Sequence, residues 1–406
     1  MKKRTVQKQF NIKINNCKLV LNIIRNNQKS NVSRATIAKN TKMSATSITR
    51  ITDLLIESGL VKQTDTLTSD TVGRKGIGLC VNEEAVITAG ISIDSDFVDV
   101  CILNFADKII SKERTELQKR SYQPDEILHI AYNTYKIACA SAGYENEHIR
   151  TIGISCIGNI DNRTGTVFFA PQFQWFNIEL GQKAEHLFGH PVIVDNDMKS
   201  SLIGIAHRHK DIEHKDVTYL SIGMGVGASI MYGGTIIRGS NNAAGEVGHV
   251  IMEPNGRLCD CGQRGCVQTY LTNNNLIEQC QELGYPVKQV EDIYEAFRSK
   301  KSWALKFMDS QAEHLAILIR NLVYMYNTEY ILVGGAIISD FPELFNITIG
   351  KVEKFLHANL YANLQLKHVK ERDNSATGAA FMAQETYIEH VLFTEKTLQL
   401  EQVDFF

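Results

Sequence analysis

His249, Cys259, Cys261 and Cys266 bring one imidazole and three thiols into a span of 18 residues. That is the number and kind of ligands a tetrahedral structural zinc site takes, and four protein ligands leave no position for an activated water. A Zn2+ held there would brace a loop rather than do chemistry. Gly256, Gly262 and Gly265 let the backbone turn tightly around an ion. The alternative is a set of unligated thiols in a reducing compartment. Three of the nine cysteines falling within eight residues argues against it.

Cys17, Cys80, Cys101, Cys139, Cys156 and Cys280 read as small core residues. An odd cysteine count without a secretory leader points away from a disulfide scaffold. The basic start has neither an apolar run nor a small-residue cleavage site behind it. No stretch reaches about 18 apolar residues, so no membrane insertion is expected. The expected location is cytoplasmic. A length of 406 residues allows two or three domains. The net charge of −2 hides an asymmetry: residues 1–75 carry 15 Lys and Arg against 4 Asp and Glu, and the rest is acidic by 13. A basic head on an acidic body points to an anionic partner, with nucleic acid first.

Within that head, Leu19, Val20, Ile23 and Ile24 form a helical stripe in residues 16–26. Ser33 predicts the cap of a second helix running to about Lys42 and burying Ile37 and Ala38. Ser44 predicts the cap of a third, Ala45 to Ser58, stopped by Gly59. In the third helix Ile48, Ile51 and Leu55 share one side, with Thr46, Thr49 and Arg50 roughly opposite. Short hydroxyls and an arginine near a helix N-terminus suit a major groove, where arginine binds guanine and threonine meets a thymine methyl. Leu60–Gln63 and Ile77–Val81 read as short strands around a polar tip, Gly73-Arg74-Lys75-Gly76. That pattern is a winged helix-turn-helix, whose wing offers Arg74 and Lys75 to phosphates or the minor groove. A plain three-helix bundle is the competing reading, and the two strands count against it. From Ala85 onward, short β-rich runs (Val86–Ile93, Val98–Leu103, Ile149–Ser155, Val192–Val194, Thr218–Ile222, Ala228–Met231, Ile331–Val333) alternate with amphipathic helices. The body is therefore α/β with mixed sheets.

The order Glu246-x-Gly248-His249, then Cys259-x-Cys261-Gly262-x-x-Gly265-Cys266, resembles the signature of the ROK family (repressors, open reading frames, kinases). Ser44-Ala45-Thr46-Ser47-Ile48-Thr49-Arg50-Ile51 resembles the recognition helix of that family's sugar-responsive repressors, and adds Ser44 and Ser47 to the candidate DNA contacts. The kinases lack such a head. The resemblance covers nearly the whole chain. It implies a winged helix-turn-helix over 1–82 and two actin-like (ribonuclease-H-like) lobes around a cleft, 83–195 with 382–406 and 196–381.

The resemblance also implies that Glu246 holds sugar hydroxyls, that His249 bridges sugar and Zn2+, and that Asn196 binds sugar. Asp197 matches the kinases' catalytic base, here vestigial. Without the resemblance, Val194-Asp195-Asn196-Asp197 is also an ordinary helix cap. A neutral sugar needs fixed donors and acceptors in a concave pocket, and Asn196, Asp197, Glu246 and His249 supply them. Gln268 stands where the family has glutamate, and an amide that donates as well as accepts shifts ligand preference. Ile157-Gly158 replaces the family's Pro-Gly. Pro171-x-x-x-Trp175 matches a stretch that either stacks on a sugar or packs.

In the family's kinases, Asp-x-Gly-Gly-Thr on the first hairpin approaches the ATP phosphates. Ser92, Asp94, Ser95 and Asp96 stand at those positions. Two carboxylates where a polyphosphate would rest cost several kcal/mol even when partly screened. Phosphoryl transfer depends on positioning and charge neutralisation, so the change is expected to disable it. Gly223-Met224-Gly225-Val226-Gly227 and Gly334-Gly335 read as inherited architecture. The expectation is a non-enzymatic repressor of carbohydrate uptake or catabolism genes, a homodimer or dimer of dimers on operator DNA, controlled by a sugar or sugar phosphate. One rival is a sugar kinase carrying a DNA-binding head, favoured by Asp197 and opposed by residues 92–96. Another is a regulator whose effector is a sugar-transport protein. Residues 311–326 predict an apolar helix, Thr377 the start of a closing one, and Leu392, Phe393, Leu398 and Leu400 a tail packed on the first lobe.

Overall fold

The computed structural model describes residues 2–27, 32–64, 77–119, 121–371 and 374–389. Its head holds the helices Lys2–Asn26, Arg34–Thr41 and Ala45–Glu57. The Ser33 hydroxyl accepts the Thr36 N–H at 3.1 Å and that of Ser44 accepts the Ser47 N–H at 3.1 Å, each satisfying an orphan donor of a first turn. Gly59 follows the third helix at φ 74°, a left-handed stop. Val20, Ile24, Ile37, Ile48, Ile51 and Leu55 meet in one core. The first helix differs in detail: Cys17 and Leu21 are buried with Val20 and Ile24, while Leu19 is 46% exposed. Positions 17, 20, 21 and 24 are the wider i, i+3, i+4, i+7 face that packs on two helices at once.

The strands Val61–Thr64 and Gly78–Val81 pair antiparallel, and Val32–Ser33 pairs with the far edge of the latter. The third strand overlaps the cap of the second helix and has no pattern of its own. Arg74 and Lys75 lie outside the described residues, as do Leu392, Phe393, Leu398 and Leu400.

Two five-stranded mixed sheets follow. The first runs Val192–Asn196, Ile149–Cys156, Ile87–Ile93, Phe97–Leu103, Ile109–Glu116; the second runs Thr235–Ile236, Val226–Tyr232, Val217–Ile222, Tyr330–Gly334, Gln365–His368. In each, a central strand is antiparallel to one neighbour and parallel to the other. This duplicated plan is the two-lobed actin-like fold. Ile87–Ile93 is buried at every position, and its two hydroxyl residues, Thr88 and Ser92, find partners in Ala380 O and Ser375.

A small antiparallel sheet, Asn159–Asp161, Thr166–Ala170 and Trp175–Ile178, has strands too short to be read from sequence. Trp175 packs: it is 3% exposed, stacks on Phe173 at 4.7 Å and donates its indole N–H to Tyr122 O at 2.8 Å.

The helix Asn374–Tyr387 closes the body at backbone contact. A Cβ at Gly90 would lie 1.9 Å from Ala376 O, and one at Gly153 1.9 Å from Ala379 O, so the helix rests on the first sheet. On its other side a Cβ at Gly378 would lie 1.7 Å from Ser200 O, and one at Gly204 2.2 Å from Asn374 O. These contacts return the chain to the first lobe from Asn374, inside the span 196–381 read as the second lobe. Gly378→Ala is expected to cost about 1–3 kcal/mol, because backbone rather than a flexible side chain must yield. An unchanged urea midpoint would contradict that contact.

Candidate functional site

The strand Val192–Asn196 runs straight into the helix Asp197–Arg208. Asn196 is the cap: its Oδ1 accepts the Met198 N–H at 3.1 Å, while Nδ2 donates to Gly158 O at 3.0 Å and Asp197 Oδ1 at 2.8 Å. Both amide hydrogens are thus used within the protein. Asn196 aims Asp197, and the cap and site readings coincide. Below it, Asp195 is 1% exposed, pairs with Arg238, and accepts from Asn242 Nδ2 at 2.9 Å. Arg238 and Asn242 carry no sequence motif that would have marked them.

Burial pushes the Asp197 carboxyl from 3.8 up to about 7, with Asp94 and then Glu246 adding like-charge repulsion. Asp94 is also pushed up, chiefly by burial; its Oδ1 accepts the Ser95 N–H at 2.6 Å and hydroxyl at 3.1 Å. The first hairpin therefore brings a carboxyl close enough to act on Asp197. Asp96 is exposed. Ser92 is 2% exposed and its hydroxyl meets that of Ser375 at 2.8 Å.

Lys199 is the residue that the sequence concealed. It is 1% exposed and donates Nζ to Ala244 O at 3.3 Å. Burial lowers its pKa, while Asp195 and Glu246 act to hold it up. A lysine in the first turn of a helix reads as solvated unless the acids facing it are known.

Opposite, Gly245 sits at φ 103° with no room for a Cβ, which would fall 2.0 Å from Ala228 O; at Gly248 it would fall 2.3 Å from Val226 O. The short turn Val247–His249 is thereby laid on the strand Val226–Tyr232, with Glu246 at its start. His249 Nδ1 lies 3.8 Å from Cys259 Sγ, Cys261 Sγ lies 3.6 Å from Cys266 Sγ, and the four ligand atoms all fall within 4.8 Å of one another. Zn–S bonds of about 2.3 Å imply tetrahedral edges near 3.8 Å, so the donor set fits such an ion. Gly262 and Gly265 take φ 87° and 80°, and a Cβ at Gly265 would lie 1.8 Å from Glu253 O. Gln268, expected from the sequence at the sugar, has its Nε2 3.3 Å from Cys259 Sγ. One of its two amide hydrogens thus goes to the cysteine loop.

In the head, Ser44, Thr46 and Thr49 are exposed, and Ser47 and Arg50 half-buried. The Ser44 and Ser47 hydroxyls lie 2.9 Å apart, and Thr49 Oγ1 donates to Ala45 O at 2.9 Å. Arg34, which the sequence did not single out, donates to Thr52 at 2.8 Å and Asp53 at 2.7 Å, fixing the second helix to the third.

Two actin-like lobes, with a glycine- and cysteine-rich loop following the strands Val217–Ile222 and Val226–Tyr232 of the second sheet, define the class. The chain belongs to the ROK family, whose profile matches residues 88–386. It is 28% identical over 375 residues to the xylose repressor of Caldicellulosiruptor bescii, covering 88% of this chain and 92% of that one. It is 27% identical to the DNA-binding transcriptional dual regulator NagC of Escherichia coli, covering 75% and 77%. A ROK family transcriptional regulator homologous to the E. coli Mlc protein superposes with a TM-score of 0.79 at 22% identity, covering 96% of this chain and 99% of that chain. The fold likeness thus extends through the head. Among the described residues, no helix is long and apolar enough to cross a membrane.

Proposed function

We propose that this chain is a DNA-binding transcriptional regulator, acting as a repressor of carbohydrate uptake or catabolism genes. Its effector is a sugar or sugar phosphate bound beside Asp197, Glu246 and His249. The observation that carries the reading is that one chain joins a helix-turn-helix head to a body in which Asp94 and Glu246 both act electrostatically on a half-buried Asp197. Such a site suits hydroxyl groups and repels a polyphosphate. The relatives named as repressors of xylose and N-acetylglucosamine systems support the same reading.

His249, Cys259, Cys261 and Cys266 would hold a Zn2+, which supplies structural bracing rather than catalysis. His249 turns Nδ1 toward Cys259, so Nε2 is the ring nitrogen left for a sugar hydroxyl. As a helix-turn-helix protein it would act in the cytoplasm as a homodimer, or a dimer of dimers, on a pseudo-palindromic operator. Arg74 and Lys75 would add phosphate contacts from the wing.

One observation favours a sugar kinase instead: a carboxyl held near 7 is well placed to take a hydroxyl proton. Against it, Ser92, Asp94, Ser95 and Asp96 read as a degenerate phosphate loop, and the Ser92 hydroxyl is engaged by that of Ser375. A coupled assay with MgATP and a sugar panel decides. No turnover is expected, and turnover that vanishes in Asp197→Ala would overturn the regulator reading. Thermal-shift and calorimetric screening of sugars and sugar phosphates should find at least one saturable ligand; none at all would point to a protein effector such as a sugar-transport protein.

Arg50→Ala is expected to remove about 1–3 kcal/mol of discrimination between operator and scrambled DNA, with the body still folded. Band shifts that stay equally distinct on the two DNAs would remove Arg50 from the reading face.

A further inference from the structure

The helix Asp197–Arg208 touches the candidate pocket at one end and the DNA-binding head's anchorage at the other. We propose that this helix is the rod through which pocket occupancy reaches the head, by way of Lys210, Asp107 and Arg25. The proposal rests on the function proposed above and concerns how that function is transmitted.

At the pocket end, Asn196 and Asp197 open the helix, and Lys199 fastens it to the loop of Glu246 through Ala244 O at 3.3 Å. The helix then runs 12 residues, about 18 Å at 1.5 Å per residue. Just past its far end, Lys210 Nζ lies 3.5 Å from Asp107 and 3.1 Å from Glu213. Asp107, at φ 60° in a tight turn of the first lobe, accepts from Arg25 Nη2 at 2.7 Å.

Arg25 belongs to the last turn of the head's first helix and is 7% exposed. Its guanidinium also donates to Glu385 at 2.6 Å and Gln384 at 2.6 Å, both on the closing helix. One buried arginine of the head is therefore gripped by the closing helix and by the Asp107 turn that Lys210 also reaches, and the closing helix crosses the rod at Gly204 and Gly378. Because those helices touch at backbone, a displacement of one carries the other.

His207 sets the register at this end. Its ring stacks on Phe381 at 3.9 Å and 8°. Burial drives it down to about 3, so it stays neutral and acts as packing. A cavity of about 230 Å³ lies between head and helix, bounded by Asn22, Arg25, Asn26, His207 and Lys210 among others, and gives the helix end room to shift. A ligand that binds differently in two positions of this rod must bias the head, and the head must bias the ligand by the same factor.

The test uses the full chain and a duplex selected from a random pool by the wild type. DNA affinity is read by fluorescence anisotropy with and without the sugars of a panel: xylose, glucose, N-acetylglucosamine and their phosphates. Sugar affinity is read by calorimetry. Lys210→Met should bind sugar as the wild type does but lose about three- to fivefold of the sugar-dependent change in DNA affinity, and Asp107→Asn should lose more. Lys18→Met, which breaks the head's 2.9 Å pair with Glu389, two residues past the closing helix, without touching the rod, should keep the wild-type change. Wild-type coupling in both Lys210→Met and Asp107→Asn, or an equal loss in Lys18→Met, would overturn the rod. A wild type that responds to no sugar would show the functional reading itself to be wrong, and the rod would fall with it.

Discussion

Asp197→Asn will make the protein more stable at pH 8 and leave it almost unchanged at pH 4. Burial, then Asp94 and Glu246, raise the Asp197 carboxyl from 3.8 to about 7 in the folded protein. Between those values the folded chain keeps a proton that the unfolded chain gives up. Stability therefore falls as pH rises from about 4 to about 7, and the full cost is present above that window. A shift of about three units corresponds to roughly 4 kcal/mol as an upper figure. The amide has no charge to bury, so the variant should gain about 2–4 kcal/mol at pH 8 and lose the slope. It should also bind sugar about 10- to 100-fold more weakly, through loss of a charge-assisted hydrogen bond. Urea midpoints at pH 4, 6 and 8 check the first part, and parallel curves for the two proteins would contradict it. A residue that costs stability where it sits is held there by its use.

The second large effect belongs to Cys259→Ser. Cys259 is buried, faces His249 Nδ1 at 3.8 Å and receives the Gln268 amide at 3.3 Å. It is therefore both a candidate ligand and the point where the loop is fastened to the following helix. The variant should retain less than one equivalent of zinc, exchange its amide hydrogens faster over residues 249–268, and bind sugar about 10- to 100-fold more weakly. The head should keep its exchange pattern. A chelator should reproduce these effects in the wild type. Unchanged zinc content by elemental analysis would reject the ligand assignment.

What could be read from sequence and what could not divides along chain distance. Ser33, Ser44 and Gly59 act within a few residues of themselves, and the helices they delimit are where their chemistry put them. The candidate metal ligands are close in sequence and rare in type, so His249 and the three thiols announced one another as a cluster. Ile87–Ile93 showed a buried strand because it carries no charge and its polar residues are only the short hydroxyls Thr88 and Ser92. The residues that escaped notice are polar and depend on distant partners: Lys199 on Ala244, Asp195 on Arg238 and Asn242, Arg25 on Asp107 and Glu385. An isolated lysine or arginine looks solvated until the opposing acid is placed. Trp175 and Gln268 fell between: their positions were legible and their directions were not. Trp175 points into the core beside Tyr122, and Gln268 points at a sulfur.

The proposed function requires sugar bound beside Asp197 to change the grip on DNA. Anisotropy of a labelled duplex, selected by this protein and titrated with the full chain in the presence and absence of the sugar panel, tests that requirement most directly. At least one sugar or sugar phosphate should move the DNA midpoint about fivefold or more. A midpoint that no member of the panel moves, in protein that binds one of them calorimetrically, would contradict it.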